Sequence, residues 1–400
     1  MNTATVLARI QELGAISEDS ACLTRTFGSG AMVKASQLIA GWMQEAGLLT
    51  RIDNIHNVRG RRVSKNPAAR TLVLGSHYDT VVNAGKFDGP LGILMALEVV
   101  SAINIELPFH IEVVAFSDEE GVRYHTTYLG SKVLTGAFDP SLLSLKDAAG
   151  ITLGDAIQLM GGCTEQLLHD KIPADQWLGY FEIHIEQGPV LYEKHIPLAI
   201  VTAIAGQQRS QLIVKGMAGH AGTVPMEMRQ DALCCASECI LIIEQWAVQH
   251  RDQVLATVGT LQVVHGASNV IPGEVVCSLD LRSADPDMLR KTHVELAAQL
   301  ADVCEKRKIS FEWHVVQETA PVICDPELST LLERSIPAAE RVKLVSGAGH
   351  DAVAVSAIAP VCMLFVRCFK GISHHPQEDV EAADIEVALE VARSFILQLI

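Results

Sequence analysis

Histidines and carboxylates in this chain gather where apolar runs end or glycines follow. His77 and Asp79 follow TLVLGS, Asp88 lies in KFDGP, and Glu119-Glu120 follow HIEVVAFSD. His184 opens HIEQG, His350-Asp351 follow GAG, and His374-His375 precede Pro376. Two neutral imidazoles and a carboxylate make a good site for Zn²⁺, and hard carboxylates suit Mn²⁺ as well. Five such ligands from five segments are too many for one open catalytic ion. They suffice for two if one carboxylate bridges, and a pair about 3.5–4 Å apart can share a hydroxide and clamp a tetrahedral intermediate.

Adjacent residues in a strand point to opposite sides. If the strand before Glu119 continues, Glu119 and Glu120 divide the work. One ligates, and the other reaches the water from a different direction as a general base. His77 and Asp79 share a face, so Asp79 can accept the second imidazole N–H and fix the tautomer. Singly, each residue has an ordinary reading. His77 or His184 would be a satisfied core histidine, Asp88 before Gly89 a turn residue, Glu119-Glu120 a solvated pair, His374-His375 plain loop. Their common position at strand ends and Gly-rich turns favours the joint reading.

The elements that must position them alternate. Strands are expected at 71–76, 110–117 and 180–186, with a buried helix at 91–103. Ligands bind at the carboxyl ends of such strands, and the alternation favours a mixed, largely parallel sheet. The middle of the chain reads differently: strand 209–215, helix 230–249, strands 254–264 and 274–282, helix 285–307, strand 309–315. That is β-α-β-β-α-β, a ferredoxin-like unit. The α/β pattern returns with a helix near 325–340, a strand at 361–367 and a helix from 382. The expected fold class is α/β, a domain built from residues 1–205 and 319–400, interrupted by an inserted α+β domain at 206–318.

The chain has 400 residues, with 31 Lys+Arg against 47 Asp+Glu and a formal charge of −16. Apolar residues make up 49%, which excludes a disordered chain. The charge disfavours nucleic acid, which needs clustered Lys/Arg. No stretch of about 18 apolar residues is free of charge, so no membrane span is expected. The N-terminus reads as an amphipathic helix without a signal peptide's basic start. Ten scattered cysteines lack CxxC spacing and read as reduced core thiols of a cytoplasmic protein.

Eight segments, in order, resemble one family: GSHYDTV (75–81), GKFDGPLG (85–92), FSDEEGVRY (116–124), HIEQGPVL (184–191), GHAGTVPMEMRQDA (219–232), NVIPG (269–273), SGAGHDA (346–352) and GISHHPQE (371–378). They resemble the di-metal amidohydrolases related to the M20 peptidases, the group with allantoate amidohydrolases and N-carbamoyl-L-amino acid hydrolases. Segments 23–48, 116–131 and 219–231 look most like the allantoate enzymes. The resemblance implies two divalent ions, Zn²⁺ or Mn²⁺, bridged by Asp88. His77 and His184 would complete one site, Glu120 and His374 the other. Asp79 would support His77, and Glu119 would be the base. His220, in the inserted domain, would stabilise the oxyanion. Asn269 and Arg282, with Gln187 nearby, would hold the substrate carboxylate, and His350 would approach it. The inserted domain would serve as lid and dimerisation domain of a homodimer. His375 stands where a small polar residue is expected, and His374 is favoured as ligand.

Ordinary readings exist here too. Arg282 beside Asp280 could be a surface ion pair, Asn269 a turn residue, and Asp351 a helix cap. The expected activity is metal-dependent hydrolysis of a linear amide in a ureido compound, allantoate first and an N-carbamoyl-L-amino acid or ureidoglycolate second. A peptidase is disfavoured by His184, since relatives acting on peptides more often use a carboxylate there. A carrier would need Glu119 or a ligand to be missing, and a nucleotide-dependent oxidoreductase would need an early GxGxxG.

Overall fold

Thr71–His77 (β3) and His110–Phe116 (β4) are buried along their whole length, as strands are when both sheet faces are covered. All 400 residues are described by a computed structural model. Contacts divide the chain into Met1–Thr202 with Cys324–Ile400, and Ala203–Ile323. The division therefore falls at 202/203 and 323/324, beside the 205/206 and 318/319 expected.

The larger unit holds Leu49–Ile52 (β1), Val58–Arg62 (β2), β3, β4, Trp177–Ile185 (β5) and all but the last two residues of Leu198–Ile204 (β6). The smaller holds Gly206–Lys215 (β7), Gly219–His220 (β8), Leu255–Thr257 (β9), Leu261–Val263 (β10), Val270–Ile271 (β11), Glu274–Ser283 (β12) and Ser310–Thr319 (β13). Val322–Ile323 (β14), Lys343–Ser346 (β15) and Val361–Val366 (β16) follow. The main sheet runs β1-β2-β4-β3-β5-β16-β6-β14, with β15 also on β6. Pairs β3–β4, β3–β5 and β5–β16 are parallel, whereas β1–β2, β2–β4 and β16–β6 are antiparallel. The sheet is thus mixed, as expected, with its parallel pairing confined to the centre. Apolar runs identify buried strands but not the direction of their neighbours, so the antiparallel flanks left no trace in the pattern.

The four central strands point one way, so their carboxyl ends share one edge. His77 pairs in register with Phe116, and His184 with Phe365. Behind this edge, the Asp53–Asn57 turn braces two strand ends. Tyr78 Oη donates to the His56 carbonyl at 2.7 Å, and Asn57 Oδ1 accepts the Ser117 N–H at 3.0 Å. The helix Pro90–Ala102 packs so closely on β5 that a Cβ on Gly92 would lie 2.0 Å from the Ile183 carbonyl oxygen.

In the smaller unit the antiparallel sheet runs β10-β12-β7-β13, with β9 also on β12. The expected strand 254–264 is two short ones, broken at Val258-Gly259-Thr260. Along β12, Val275, Cys277, Leu279 and Leu281 turn into the core while Ser278, Asp280 and Arg282 take the other face. Helix Ala232–Gln249 is long and apolar enough to cross a membrane. It carries Glu238, which pairs with Arg307 at 2.6 Å, and turns Cys235, Cys239, Ile243 and Trp246 into the core.

Buried His56, beside the Ser36 hydroxyl at 3.0 Å, is pushed down to about 4 by burial. Its folded pKa lies below the unfolded 6.5, so the unfolded chain takes the proton first. The stability this gives is full above pH 6.5 and is lost as pH falls toward 4. His56→Asn, which tolerates the positive φ here (75°), should remove ~2 kcal/mol of the stability lost between pH 7 and pH 5, read from urea midpoints.

Candidate metal centre and active site

One carboxylate stands at the centre. Asp88 precedes Gly89 (φ 83°), which caps the helix Pro90–Ala102. A Cβ on Gly89 would lie 2.5 Å from the His77 carbonyl oxygen, so only glycine lets this loop close on β3. Asp88 Oδ1 faces His184 Nε2 at 3.1 Å and His77 Nε2 at 3.8 Å. Asp88 Oδ2 faces His374 Nε2 at 3.1 Å, and that nitrogen lies 3.3 Å from Glu120 Oε1. Two groups therefore meet at one aspartate: His77, Asp88 and His184, and Asp88, Glu120 and His374, each with ligand atoms within 4.8 Å of one another. His375 is exposed, and its Nδ1 accepts the Gln377 N–H at 3.2 Å.

These residues fit a divalent cation. His184 Nδ1 lies 3.0 Å from the Ile185 carbonyl oxygen, which can only accept. Nδ1 therefore carries a proton, and Nε2 is left to share a cation or a second proton with Asp88 Oδ1. Asp88 Oδ1 and His184 Nε2 are both buried without a hydrogen-bond partner. Two acceptors aimed at each other away from water need a cation or a proton between them. Imidazole and carboxylate donors suit Zn²⁺ or Mn²⁺.

Asp79 organises the other side. It accepts the backbone N–H of Glu119 at 3.0 Å and of Glu120 at 3.1 Å, and its Oδ1 lies 3.3 Å from His77 Nδ1. The strand ends at Phe116, so strand alternation does not govern Glu119 and Glu120. Their carboxylates instead join His77 in a third group within 4.8 Å.

Burial opposes charge on His77, but Asp79 and Asp88 outweigh it and hold the ring well above its ordinary value. Burial likewise opposes charge on Asp88, yet His184, His374 and His77 hold it well below the usual carboxylate range. Asp88 and then Glu120 push His374 up to about 10. Glu119 moves upward instead, because burial and the carboxylates of Glu120, Asp351 and Asp79 outweigh His77.

Other expected residues fall differently. Gln187, in the left-handed region (φ 57°), donates from Nε2 to Asp88 Oδ2 at 2.9 Å, and its Oε1 is buried without a partner. His350 is buried with its ring 4.5 Å from that of His184, and its Nε2 lies 2.7 Å from the Ser346 hydroxyl. Asp351 does not cap the following helix with its side chain; its Oδ1 accepts the Ser131 hydroxyl at 2.6 Å. His220, Asn269 and Arg282 belong to the smaller unit. His220 pairs with Val270, and the Asn269 carbonyl accepts the Ala221 N–H at 3.0 Å. Arg282 makes two hydrogen bonds to Asp280, at 3.0 and 3.1 Å.

The sequence reading missed Glu182, Ser373 and Glu378. Glu182 accepts from Ser76, Tyr180 and the Ala352 N–H behind His184. Its signal was the two-residue spacing to His184. Burial and the charge of Asp88 raise Glu378 to about 7.

Imidazoles and carboxylates thus converge at the central strand ends of a mixed α/β sheet, a donor set that suits metal-assisted hydrolysis. Residues 73–398 match peptidase family M20/M25/M40, and the chain belongs to that family. It is 41% identical to allantoate deiminase 1 of Glycine max, over 98% of this chain and 89% of that one. It is 36% identical to N-carbamoyl-L-amino acid amidohydrolase of Geobacillus stearothermophilus, over 98% and 97% of the two chains. A hydantoinase/carbamoylase family amidase from Burkholderia multivorans has a similar structure, with TM-score 0.91, 31% identity and coverage of 99% and 97%.

Titration of metal-stripped protein with Zn²⁺ or Mn²⁺ distinguishes the two adjacent histidines. His374→Ala should bind less metal than the wild type, while His375→Ala should match it in stoichiometry and affinity.

Proposed function

We propose that the chain hydrolyses a linear carbon–nitrogen bond of a ureido compound, allantoate first, with release of ammonia. The observation that carries the hydrolytic reading is Asp88 shared between two ligand groups. The substrate reading leans on the 41% identity to an allantoate deiminase. The alternative, an N-carbamoyl-L-amino acid, is favoured by the 36% identity to an amidohydrolase of that name, and ureidoglycolate is a further relative of the same chemistry. All three reactions break a bond other than a peptide bond.

His77, Asp88 and His184 would hold one divalent ion and Asp88, Glu120 and His374 a second, Zn²⁺ or Mn²⁺. Such a pair, when bound, supplies Lewis-acid polarisation of a carbonyl and a nucleophile at neutral pH. Asp79 fixes the His77 ring and both glutamate N–H groups. Glu119 takes the proton of the attacking water and returns it to the leaving nitrogen. The unpartnered Oε1 of Gln187 offers an acceptor to a substrate N–H, and His350 walls the His184 side. His220 stabilises the oxyanion, worth on the order of 3–4 kcal/mol for such a donor. Arg282 and Asn269 take the substrate carboxylate, Arg282 exchanging Asp280 for it through its planar fork. The ferredoxin-like insert serves as a lid. We assign the enzyme to the cytoplasm, in keeping with its free, mostly buried cysteines.

Ammonia release by metal-loaded protein from allantoate, ureidoglycolate and N-carbamoyl-L-amino acids tests the substrate. Turnover of a carbamoyl amino acid with allantoate inert would move the enzyme to the alternative. Glu119→Gln should keep its metal and lose at least about 100-fold in kcat.

The homodimer reading has its own support. β13 is an edge strand of the smaller unit's sheet and exposes Val315 and Val316, the latter 73% exposed. Val316 lies in a bulge, so the support is the exposed apolar pair and not a free strand edge, and a lysine there opposes association. Val316→Lys should shift the protein from dimer to monomer in light scattering.

A further inference from the structure

We infer that Glu378 is a positioning residue that fixes the Asp88 carboxylate for metal binding and ties its loop to the loop of His374. The inference rests on the metal-centre reading above. Glu378 is buried, and its Oε1 accepts the backbone N–H of Phe87 at 2.7 Å and of Asp88 at 3.0 Å. The backbone closes over it: a Cβ on Gly85 would lie 2.3 to 2.4 Å from the Glu378 side chain. Its Oε2 lies 3.1 Å from the Ser373 hydroxyl, and that hydroxyl lies 2.8 Å from Asp88 Oδ2. Ser373 immediately precedes His374. One side chain therefore joins two ligand-bearing loops that are 290 residues apart in the chain.

The consequence falls on the orientation of Asp88. Gln187 Nε2 and the Ser373 hydroxyl both reach Oδ2, whereas Oδ1 has no hydrogen-bond partner. The Ser373 hydroxyl has one proton for the two carboxylates it faces; given to Asp88 Oδ2, it joins the Gln187 amide in stopping that carboxylate from turning. Oδ1 then stays bare and aimed at His184 and His77. Groups that orient a metal ligand in this way tune affinity without touching the metal.

A glutamine can do the same work. Its carbonyl oxygen accepts the two backbone N–H groups, and its amide N–H donates to Ser373 Oγ, leaving the hydroxyl proton for Asp88 Oδ2. An alanine can do none of it.

The test is Zn²⁺ affinity of metal-stripped protein, measured by competition with a chromophoric chelator. Glu378→Ala should bind about 10–100-fold more weakly, and Glu378→Gln should stay within about threefold of wild type. Wild-type affinity in Glu378→Ala overturns the inference, and so does a Glu378→Gln as weak as the alanine variant, because charge and not position would then matter. If Glu378→Ala does not fold, Ser373→Ala decides: weakened binding supports the inference and unchanged binding overturns it. Wild-type protein that binds no Zn²⁺ removes the metal-centre reading and this inference with it, whereas a binding wild type with an indifferent Glu378→Ala removes the inference alone.

Discussion

A buried carboxylate facing three imidazoles is the constraint on which the site depends. Asp88 is 6% exposed, with His77, His184 and His374 within 3.8 Å of its oxygens. Burying a charge is costly unless opposite charge and hydrogen bonds compensate it. The surroundings meet that demand unevenly, with donors on Oδ2 and nitrogens alone toward Oδ1. Such a site is organised for cations.

The fold concentrates these groups by making four strands stop at one edge. β3 delivers His77, and β4 delivers the turn with Glu119 and Glu120. β5 carries His184 with Glu182 two residues earlier. Buried Arg25 steadies the first of these, donating from Nε to the Tyr78 carbonyl at 2.6 Å and from Nη1 to the Leu13 and Ile16 carbonyls at 2.9 Å. Tyr78, held also at its hydroxyl by the His56 carbonyl, cannot shift without disturbing His77 and Asp79 on either side. Packed cores of this kind transmit displacement instead of absorbing it.

Where reasoning from local pattern failed, a specific physical cause can be named. Alternation would set Glu119 and Glu120 on opposite sides only if the strand continued, but it stops at Phe116 and Asp79 captures both N–H groups in a turn. The Gln187 amide donates to Asp88, a contact that no local pattern shows. Asp351 looked like a helix cap and binds Ser131 instead. Ser373 and Glu378 drew no notice, because nothing in GISHHPQE distinguishes a carboxylate under a metal ligand from one on a surface. In each case the deciding partner lies far away in sequence.

What the sequence determined by itself was the inventory: which histidines and carboxylates sit at the ends of apolar strands, that they suffice for a shared cation site, and that a differently patterned segment interrupts the α/β unit. Periodicity and residue chemistry are local, and a chain carries them openly. Only the tertiary structure decided that His374 and not His375 faces Asp88, that the sheet is parallel at its centre and antiparallel at its flanks, and that Oδ1 of Asp88 is left bare. Those outcomes depend on contacts between segments up to 291 residues apart, which close-packing selects and no local pattern encodes.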